Sequence, residues 1–470
     1  MTDIMQWSLA ELGAALRDGK TTATALADAA AANHSANSES FGAYKLWEPE
    51  VTARQAKAAD AAFKSGNDLG PLQGLPISVK DLYGVRGWPT FAGTPKAFPD
   101  PWQEEGPVIA SIRSQLGVLT GKTHTVEFAF GGIGANPHWG TPRNPWDAEN
   151  HRAPGGSSSG AGVSLAAGSA LLALGTDTAG SVRIPASMTG NAGLKTGVGR
   201  WSIAQIAPLS PSLDTAGIMA RTVADLAMGF VAIDPDYAAR RRELVVPAPA
   251  PIEGLRLGVP ENFFWNDCSP GIAEGVHEAL KEVEKKGVTL VPCTLPEADD
   301  IYPIFKVGGL AAVELFAFVK DELPEWFDLI DPIIVQRMEE AATLPAHEYV
   351  RRVRVMAELA HSAAARLATI DAMVTPTVPI TPPIMADIAA VDDYRPANLL
   401  ALRNTGIANY LSLCALTMPV ALDAAKMPVG MQIMGPLRSE ERLLSIGLAL
   451  EAALGTGRQR LGAPPAVDAN

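Results

Sequence analysis

The sequence predicts a protein of the α/β class. Short apolar segments alternate with segments of helical periodicity: a strand at residues 254–259 precedes a helix at 272–283 and a second strand at 288–291. This alternation is typical of a sheet covered by helices. Hydrophobic residues make up 47% of the 470 residues and charged residues 19%, which is the balance of a globular enzyme.

Composition and charge argue against several classes of protein. The formal net charge of −13 disfavours a nucleic-acid partner. The first residues show no basic region followed by an apolar run, and no uninterrupted apolar run of ~18 residues occurs, so we expect neither a signal peptide nor a membrane span. The three cysteines, Cys268, Cys293 and Cys414, are scattered and predict neither disulfides nor a zinc site. The cytoplasm is the expected location.

Three helices are predicted before the first strand. Ser8 and Glu11 form a capping box that begins a helix, and Gly19 is a suitable end. Helical segments follow at residues 22–32 and at 48–65, the second rich in alanine. We expect these helices to flank the central part of the molecule.

Strands and helices then alternate along the chain. We predict a strand at residues 75–79, a helix at 108–116 and a strand at 118–121. A small-residue stretch at 161–170 is compatible with a helix and leads to an apolar strand at 171–174. The later segments are a helix at 222–232, a polar, proline-rich connector at 234–251 and a mostly helical part at 301–366, followed by the stretches 372–377, 404–419 and 427–435.

Residues 154–185 carry the strongest functional signal. They begin PGGSSSG and end GTDTAGSVRIP. Glycine–serine runs are usually flexible linkers, but this run leads directly into a helix-compatible stretch and an apolar strand. Ser157 and Ser181 each follow glycine, in turns where successive backbone N–H groups form an anion-binding nest. A serine beside such a nest supplies what acyl transfer requires, a nucleophile and donors for the developing oxyanion.

Two other kinds of site fit these residues less well. A phosphate-binding loop would need G-x-x-x-x-G-K-[ST], or G-x-G-x-x-G between a strand and a helix, and neither pattern is present here. A Ser-His-Asp triad could use His124 or His138, but the G-x-S-x-G turn is absent around both serines. We therefore interpret all seven histidines as surface or core residues.

The motifs GGSSSG and GTDTAGSVRIPAS resemble those of the amidase signature family of serine amide hydrolases. The two serines are 181 − 157 = 24 residues apart, which is the spacing of that family's catalytic serines. The resemblance implies that Ser181 is the acylated nucleophile, that Ser157, in a cis peptide, relays protons, and that Lys80 of GLPISVKD is the base. It covers roughly residues 60–455 and implies a large mixed, twisted β-sheet flanked by helices on both faces.

A lysine can act as the base only when it is neutral. Lysine in model compounds titrates near pH ~10.4, so the pKa of Lys80 must fall by several units through burial. Lys80 follows the apolar segment 75–79, and an interior strand would desolvate its ammonium group. An exposed Lys80 paired with Asp81 is the alternative, but adjacent strand residues point to opposite faces.

The resemblance also implies how the nucleophile turn works. Ala179 stands where many relatives have glycine, and it must avoid positive φ if the oxyanion hole is to form. Asp177 and Arg183 flank Ser181, and we expect them to form a structural pair rather than to bind substrate. The expected oxyanion donors are the backbone N–H groups of Thr178, Ala179, Gly180 and Ser181.

By the same resemblance, residues 127–134 border the substrate pocket, with one acid and no fixed cation. The expected substrate-binding residues are Ala129, Phe130, Gly131 and Gly132. The residues expected to close the mouth of this pocket are Phe305, Leu315, Phe316, Phe318, Trp326 and Phe327. Apolar pockets suit neutral ligands, so we expect small uncharged amides with an aryl or alkyl group, such as anilides, and N-aryl carbamates or esters as further substrates.

One amidase domain is expected over residues 1–470, with a signature core at about 75–200 and a variable mouth at about 300–366. We expect a small-molecule substrate and no cofactor, metal, nucleic acid or membrane partner, and a homodimer is common among the proteins that this chain resembles. The alternative function is the glutaminase subunit of a transfer-RNA-dependent amidotransferase, which requires a cationic site for the glutamine carboxylate. A catalytically inactive scaffold is disfavoured because Lys80, Ser157 and Ser181 are all present.

Overall fold

The computed structural model of the protein describes residues 4–238 and 245–468, and within them eleven strands form one sheet. The strands are β1 (Tyr44–Trp47), β2 (Pro76–Lys80), β3 (Val118–Thr123), β4 (Leu172–Asp177), β5 (Ala192–Lys195), β6 (Thr215–Ala220), β7 (Arg256–Pro260), β8 (Thr289–Cys293), β9 (Ala372–Pro376), β10 (Cys414–Leu422) and β11 (Pro428–Gly435). Their order across the sheet is β1-β3-β2-β4-β6-β5-β10-β11-β9-β7-β8.

The sheet is mixed, as predicted. Strand β2 runs parallel to both β3 and β4, and β7 runs parallel to both β8 and β9. The other neighbouring pairs are antiparallel. Since β2 and β4 are adjacent and parallel, their carboxyl ends lie at the same edge of the sheet, where Lys80 and the turn after Asp177 meet.

Helices cover both faces of the sheet. They are α1 (Leu9–Arg17), α2 (Ala23–Phe41), α3 (Pro49–Lys64), α4 (Pro107–Ser114), α5 (Ser159–Ala166), α6 (Arg183–Met188), α7 (Val223–Ile233), α8 (Pro235–Ala238), α9 (Ile272–Glu284), α10 (Pro296–Lys306), α11 (Ala311–Glu322), α12 (Pro332–Ala342), α13 (Ala346–Leu367), α14 (Val391–Tyr410), α15 (Glu440–Leu454), α16 (Gly457–Leu461) and α17 (Pro465–Asp468).

Strand β4 shows how the two faces differ. Ala173 packs in a cluster with Ala161 and Leu165 of α5, whereas Leu172 and Leu174 belong to the main core cluster on the other face. All six residues of β4 are buried, because helices lie against it on both sides. The small side chains on the α5 face let that helix approach the sheet closely, which brings the glycine–serine loop before α5 to the strand ends.

Several element boundaries differ from the predicted ones. The helix predicted at residues 22–32 continues to Phe41 and ends at Gly42, which has a φ of 60°. Strand β1 has no counterpart in the prediction. The stretch 404–419 is divided, because its first part is the end of α14 and its second part is in β10. Within the predicted connector 234–251, residues 239–244 lie outside the described residues.

The segment Pro296–Glu322 has the length and apolar composition of a membrane-crossing helix. In the structure it forms two helices, α10 and α11, separated at Gly308 and Gly309, which both have positive φ. Both helices contribute buried side chains to the core clusters. The apolar character of this segment therefore serves packing inside the molecule.

Candidate active site

Lys80 lies at the carboxyl end of β2 and is fully buried. Its Nζ atom is 2.7 Å from Ser157 Oγ and 2.7 Å from Thr176 Oγ1. The first of these contacts joins the two motifs that sequence analysis placed together. Asp81 instead makes an ion pair with Lys122, 2.8 Å between Lys122 Nζ and Asp81 Oδ1, so the alternative Lys80–Asp81 pair does not form.

Burial lowers the pKa of Lys80 to about 7, and the charges of Asp214 and Asp177 oppose that shift. A buried ammonium loses its hydration, and the two hydroxyl groups beside Nζ replace it only in part. With a pKa near neutrality, a large fraction of Lys80 is unprotonated at pH 7. The neutral amine is able to accept a proton from a hydroxyl group.

The glycine–serine loop is held by its own backbone. The Gly156–Ser157 peptide is cis, and the N–H of Gly156 donates to the carbonyl of Gly132 at 2.7 Å. A Cβ atom at position 156 would lie 2.6 Å from the backbone nitrogen of Gly134, so the close approach requires glycine there. These contacts fix the Ser157 hydroxyl on Lys80.

A buried ion pair holds the turn that carries Ser181. Asp177 and Arg183 are both fully buried and 2.9 Å apart. Asp177 also accepts the N–H of Gly180 at 2.7 Å and the N–H of Val182 at 3.2 Å. The expectation of a structural pair is confirmed, because both charges of the pair are satisfied within the fold.

The hydrogen bonds within the same turn change the expected set of oxyanion donors. Because the Gly180 N–H is bonded to Asp177, the expectation that it is a free donor is wrong. Thr178, Ala179 and Ser181 stay as the candidate donors. Gly180 has a φ of 130°, whereas Ala179 avoids positive φ, as its side chain requires. A Cβ atom at Gly180 would lie 2.1 Å from Thr405 Oγ1.

Asp214 is a site residue that sequence analysis missed. Its carboxylate accepts a hydrogen bond from Thr178 Oγ1 and the N–H groups of Leu209 and Ser210, each of the latter two at 2.9 Å. Burial raises the pKa of Asp214 to about 6. The side chain thereby links the Ser181 turn to the loop at Leu209, and its charge acts on Lys80.

Ser181 lies against the glycine–serine loop and faces a cavity. The N–H of Ser158 donates to the Ser181 carbonyl at 3.3 Å. In the part of the chain that the structure describes, the Ser181 hydroxyl has no hydrogen-bond partner. Catalytic hydrogen bonds are often loose before substrate binds. The hydroxyl is therefore available both to a substrate and to Ser157.

The cavity at Ser181 has a volume of about 80 Å³. Ala129, Phe130 and Gly131 line it, as predicted. Gly132 does not, because its N–H donates to Asn398 Oδ1 at 2.7 Å and its carbonyl accepts from Gly156. Much of the remaining wall is apolar or aromatic, and polar side chains complete it. The apolar and aromatic residues are Leu209, Leu213, Phe305, Leu399, Leu402 and Tyr410, and the polar ones are Thr178, Lys306, Arg337 and Asn398.

Most of the residues predicted to close the mouth of the substrate pocket pack in the core instead. Phe305 lines the cavity. Leu315 and Trp326 are buried in the main core cluster instead, and the others pack against that cluster: Phe316, Phe318 and Phe327. The aromatic residues of α11 and the following turn therefore hold the covering helices on the body of the protein.

Arg337 overturns the expectation of a pocket without a fixed cation. It lies on α12, lines the cavity with Ser181 and donates from Nη1 to the Phe130 carbonyl at 2.9 Å. Its guanidinium carbon is 3.4 Å from the centroid of the Phe130 ring. Burial lowers the pKa of Arg337 to about 10, so it is still cationic at pH 7. It makes no ion pair with a carboxylate of the described residues.

One sequence signal could have identified Arg337. It stands four residues after Ile333 and three after Ile334, and Met338 follows it, so it shares the side of α12 that carries apolar residues. A cation on that side of an amphipathic helix faces the protein. Which part of the protein it faces depends on the fold, because Phe130 is distant in sequence.

Comparisons with known proteins agree with this fold. The Amidase family model matches residues 22–444. The chain is 52% identical over 457 residues to the 2-amino-5-chloromuconic acid deaminase of Comamonas testosteroni, covering 97% of this chain and 98% of that protein. It is 32% identical over 488 residues to a glutamyl-tRNA(Gln) amidotransferase subunit of Burkholderia pseudomallei (strain 668), covering 95% of this chain and 97% of that protein.

A solved structure shows the same fold. The crystal structure of an amidase superposes with a TM-score of 0.85 at 28% sequence identity, covering 96% of this chain and 100% of that one. The large mixed sheet and its helices are therefore those of known amidases, as predicted.

Proposed function

We propose, since this chain belongs to the amidase family, that it hydrolyses the C–N bond of a small unsaturated amino acid of the 2-aminomuconic acid type and releases ammonia. The observation that carries this proposal is Arg337, whose guanidinium lies in the cavity of Ser181 without a carboxylate partner among the described residues. A guanidinium binds a carboxylate through two parallel hydrogen bonds. The apolar walls suit the flat hydrocarbon part of such a substrate.

In the proposed mechanism, neutral Lys80 takes a proton from Ser157 as Ser157 takes the proton of Ser181. The contact of 2.7 Å between Lys80 Nζ and Ser157 Oγ supports the first transfer. Ser181 Oγ then forms a bond to the electrophilic carbon, and the relay returns its proton to the leaving nitrogen. The N–H groups of Thr178, Ala179 and Ser181 are the proposed donors to the negative charge that develops on a carbonyl substrate.

The same groups suffice for deamination of a 2-amino-dienoic acid. Its enamine form is in equilibrium with an imine, whose carbon is electrophilic like that of a carbonyl. Ser181 Oγ adds to the carbon of the protonated imine while the relay takes the Ser181 proton, and the relay then passes this proton to the nitrogen, so that the C–N bond breaks and ammonia leaves. Water adds to the carbon and returns a proton to the relay. The bond to Ser181 then breaks and the 2-oxo acid leaves, so one water is consumed for each ammonia released.

Glutamine hydrolysis is the second candidate function. The relative of 32% identity is a subunit of a glutamyl-tRNA(Gln) amidotransferase, and Arg337 supplies the cation that a glutamine carboxylate needs. The substrates expected from sequence, anilides, N-aryl carbamates and aryl esters, fit the apolar walls but leave Arg337 without an anion. We therefore propose them as slower substrates.

A substrate panel tests these proposals. Ammonia release would be measured from 2-aminomuconic acid and glutamine, and aryl amine release from an anilide, with the Ser181→Ala protein as the control for each. We expect kcat/KM for 2-aminomuconic acid to exceed that for the anilide by about 10²-fold or more, since a site with a buried polar group rejects ligands that leave it unpaired. It should also exceed that for glutamine, which lacks the flat unsaturated chain that the apolar walls suit. A ranking led by glutamine would favour the second candidate, and one led by the anilide would contradict the role of Arg337.

A further inference from the structure

A second cavity adjoins the cavity of Ser181. Its volume is about 550 Å³, and the two cavities share Lys306, Arg337 and Asn398 as lining residues. Helices α12 and α14 both line this second cavity, which we call the antechamber. Ile333, Arg337, Glu340 and Ala341 are on α12, and Tyr394, Arg395, Asn398 and Leu399 are on α14. A substrate that reaches Ser181 through this opening passes between the two helices.

The antechamber is strongly cationic. Lys306, Arg337, Arg352 and Arg395 line it, and Glu340 is its one acid among the described residues. Arg352 is neutralised by Glu348, 3.2 Å from Nε to Oε1. Within residues 4–238 and 245–468, the other three cations make no ion pair. Arg395 donates to an uncharged group, Gln336 Oε1, at 2.9 Å, which orients its guanidinium between the two helices.

Arg337 and Arg395 are close enough to repel each other. The charge of Arg395 lowers the pKa of Arg337, in addition to the larger effect of burial. The charge of Glu340 raises the pKa of Arg337, but Glu340 makes no ion pair with either arginine among the described residues. Like charges that face one cavity without an ion-pair partner destabilise the protein. An anion bound between them would remove both the repulsion and the loss of hydration. This arrangement is typical of a site that is completed by a ligand.

We infer that Arg395, together with Lys306, forms an outer carboxylate subsite, so that the enzyme selects dicarboxylates over monocarboxylates. The inner carboxylate, attached to the reacting carbon, binds Arg337 beside Ser181, and the outer one binds Arg395 in the antechamber. This inference rests on the proposed function and names its substrate class. In a 2-aminomuconic acid the amino carbon is next to one carboxylate, and the diene holds the second carboxylate at the far end.

The net charge of −13 does not oppose this inference. Exposed charges farther away than the Debye length of ~8 Å are largely screened at physiological salt. The field in a cavity with apolar walls is set by the charges that line it. The acidic surface elsewhere therefore leaves the attraction of the antechamber for a dianion intact.

Two unreactive ligands test the subsite without relying on turnover. Muconic acid and sorbic acid share a six-carbon diene, but muconic acid carries a carboxylate at each end and sorbic acid at one end only. Binding of each to the wild-type protein would be measured by isothermal titration calorimetry at two salt concentrations. We expect muconate to bind about 10-fold or more tightly than sorbate, as for a hydrogen bond to a charged group, with the difference falling at high salt.

Variants of Arg395 test whether this residue binds the outer carboxylate. Arg395→Gln should weaken muconate binding about 10-fold and leave sorbate binding unchanged, and Arg395→Glu should weaken it further. Arg354→Gln, which removes an exposed arginine of α13 that lines neither cavity, is the matched control and should bind both ligands like the wild type. Because Arg395 is exposed and its charge repels that of Arg337, both variants should melt at the wild-type temperature or slightly above it.

The outcomes separate this inference from the proposed function. Equal affinities for muconate and sorbate, or a muconate affinity unchanged in both Arg395 variants, would overturn the outer subsite whatever the enzyme turns over. Preferential muconate binding without ammonia release from 2-aminomuconic acid would support the subsite and overturn the proposed deamination. A loss of sorbate binding in Arg395→Gln would also overturn the inference, since it would place Arg395 on the inner carboxylate.

Discussion

The reaction centre and the covering helices satisfy their charged groups in opposite ways. At the centre, Lys80 has two hydroxyl neighbours and Asp177 has Arg183 with two backbone N–H groups. In the covering helices α12 and α14, Arg337 and Arg395 face the substrate cavities without a carboxylate partner among the described residues. We therefore propose that the chemistry of this protein depends on groups whose partners the fold supplies, and its selectivity on groups whose partners the substrate supplies.

We expect the largest effect from removal of the proposed nucleophile, Ser181. Ser181→Ala should reduce kcat by about 10⁴-fold or more, as for other serine nucleophiles, without changing the melting temperature. The Ser202→Ala protein, altered at an exposed serine, is the control. A serine-directed covalent inhibitor followed by peptide mass spectrometry should label Ser181. Label at Ser157 or Ser158 would reverse the assignment of nucleophile and relay.

Removal of the proposed base, Lys80, should reduce the rate less than removal of Ser181. Lys80→Met should lower kcat/KM about 10²- to 10⁴-fold, and Lys80→Arg should not restore it, because guanidinium does not lose its proton near neutral pH. Burial lowers the pKa of Lys80 to about 7, and in the proposed mechanism the active form is unprotonated, so wild-type kcat/KM should rise with pH through about 7 and then level off. A near-normal rate for Lys80→Arg would exclude Lys80 as the base.

The third expected effect is on stability. Arg183→Met removes one partner of a fully buried ion pair, and the unfolding free energy should fall by about 3–5 kcal/mol because Asp177 is left charged and unpaired. Urea denaturation followed by circular dichroism would measure it. The exposed pair Lys281–Glu278 offers the control, and Lys281→Met should cost less than about 1 kcal/mol. Equal costs would mean that the buried pair does not hold the Ser181 turn.

A change in the covering helices should alter selectivity rather than chemistry. Arg337→Met should raise KM for 2-aminomuconic acid about 10- to 100-fold while kcat and the activity on an anilide change little. Steady-state kinetics on both substrates would separate these parameters, with Arg354→Met as the control. An equal fall in kcat on both substrates would show that Arg337 acts in the chemical step. The reaction centre and the covering helices would then not differ in role.

The smallest effect is expected at the contact between the two regions. Glu127 Oε2 accepts the N–H of Asp331, just before α12, and Oε1 lies 2.9 Å from His138 Nε2. Burial raises the pKa of Glu127 to about 8, so its folded form binds more protons than the unfolded chain between pH ~4.3 and 8, and stability should fall as pH rises through that window.

Glu127→Gln imitates the protonated carboxyl group. The variant should match the wild-type melting temperature within a few degrees at pH 5 and lose part of the decline toward pH 8. Melting curves across this range would test it. A variant that is much less stable at pH 5 would show that the carboxylate, not the acid, holds α12 to the loop.

Sequence analysis could select the residues of the candidate reaction centre because their signals are local. The runs around Lys80, Ser157 and Ser181 contain the glycines and serines that their turns require, and each run can be interpreted without its partners. The strand predicted at residues 75–79 was likewise visible as an apolar run, and in the structure it is shifted by one residue, to Pro76–Lys80.

Sequence analysis did not identify features that depend on packing against segments distant in the chain. Arg337 lies 337 − 181 = 156 residues after Ser181, and it becomes a pocket residue only once α12 packs over Phe130. Helix α2 illustrates the same limit, since its polar second half resembles a loop but continues to Phe41. Tertiary contacts supply stability that local propensity lacks.

The bond from Arg337 to the carbonyl of Phe130 has a consequence for protein engineering. Every amino acid provides a main-chain carbonyl, so this anchor does not depend on which side chain stands at position 130. A library at that position could therefore resize the pocket wall while the guanidinium keeps its bond to the carbonyl and loses only its contact with the aromatic ring. New specificities for larger or branched acids would then be reached by single substitutions, with the hydrolytic residues unchanged.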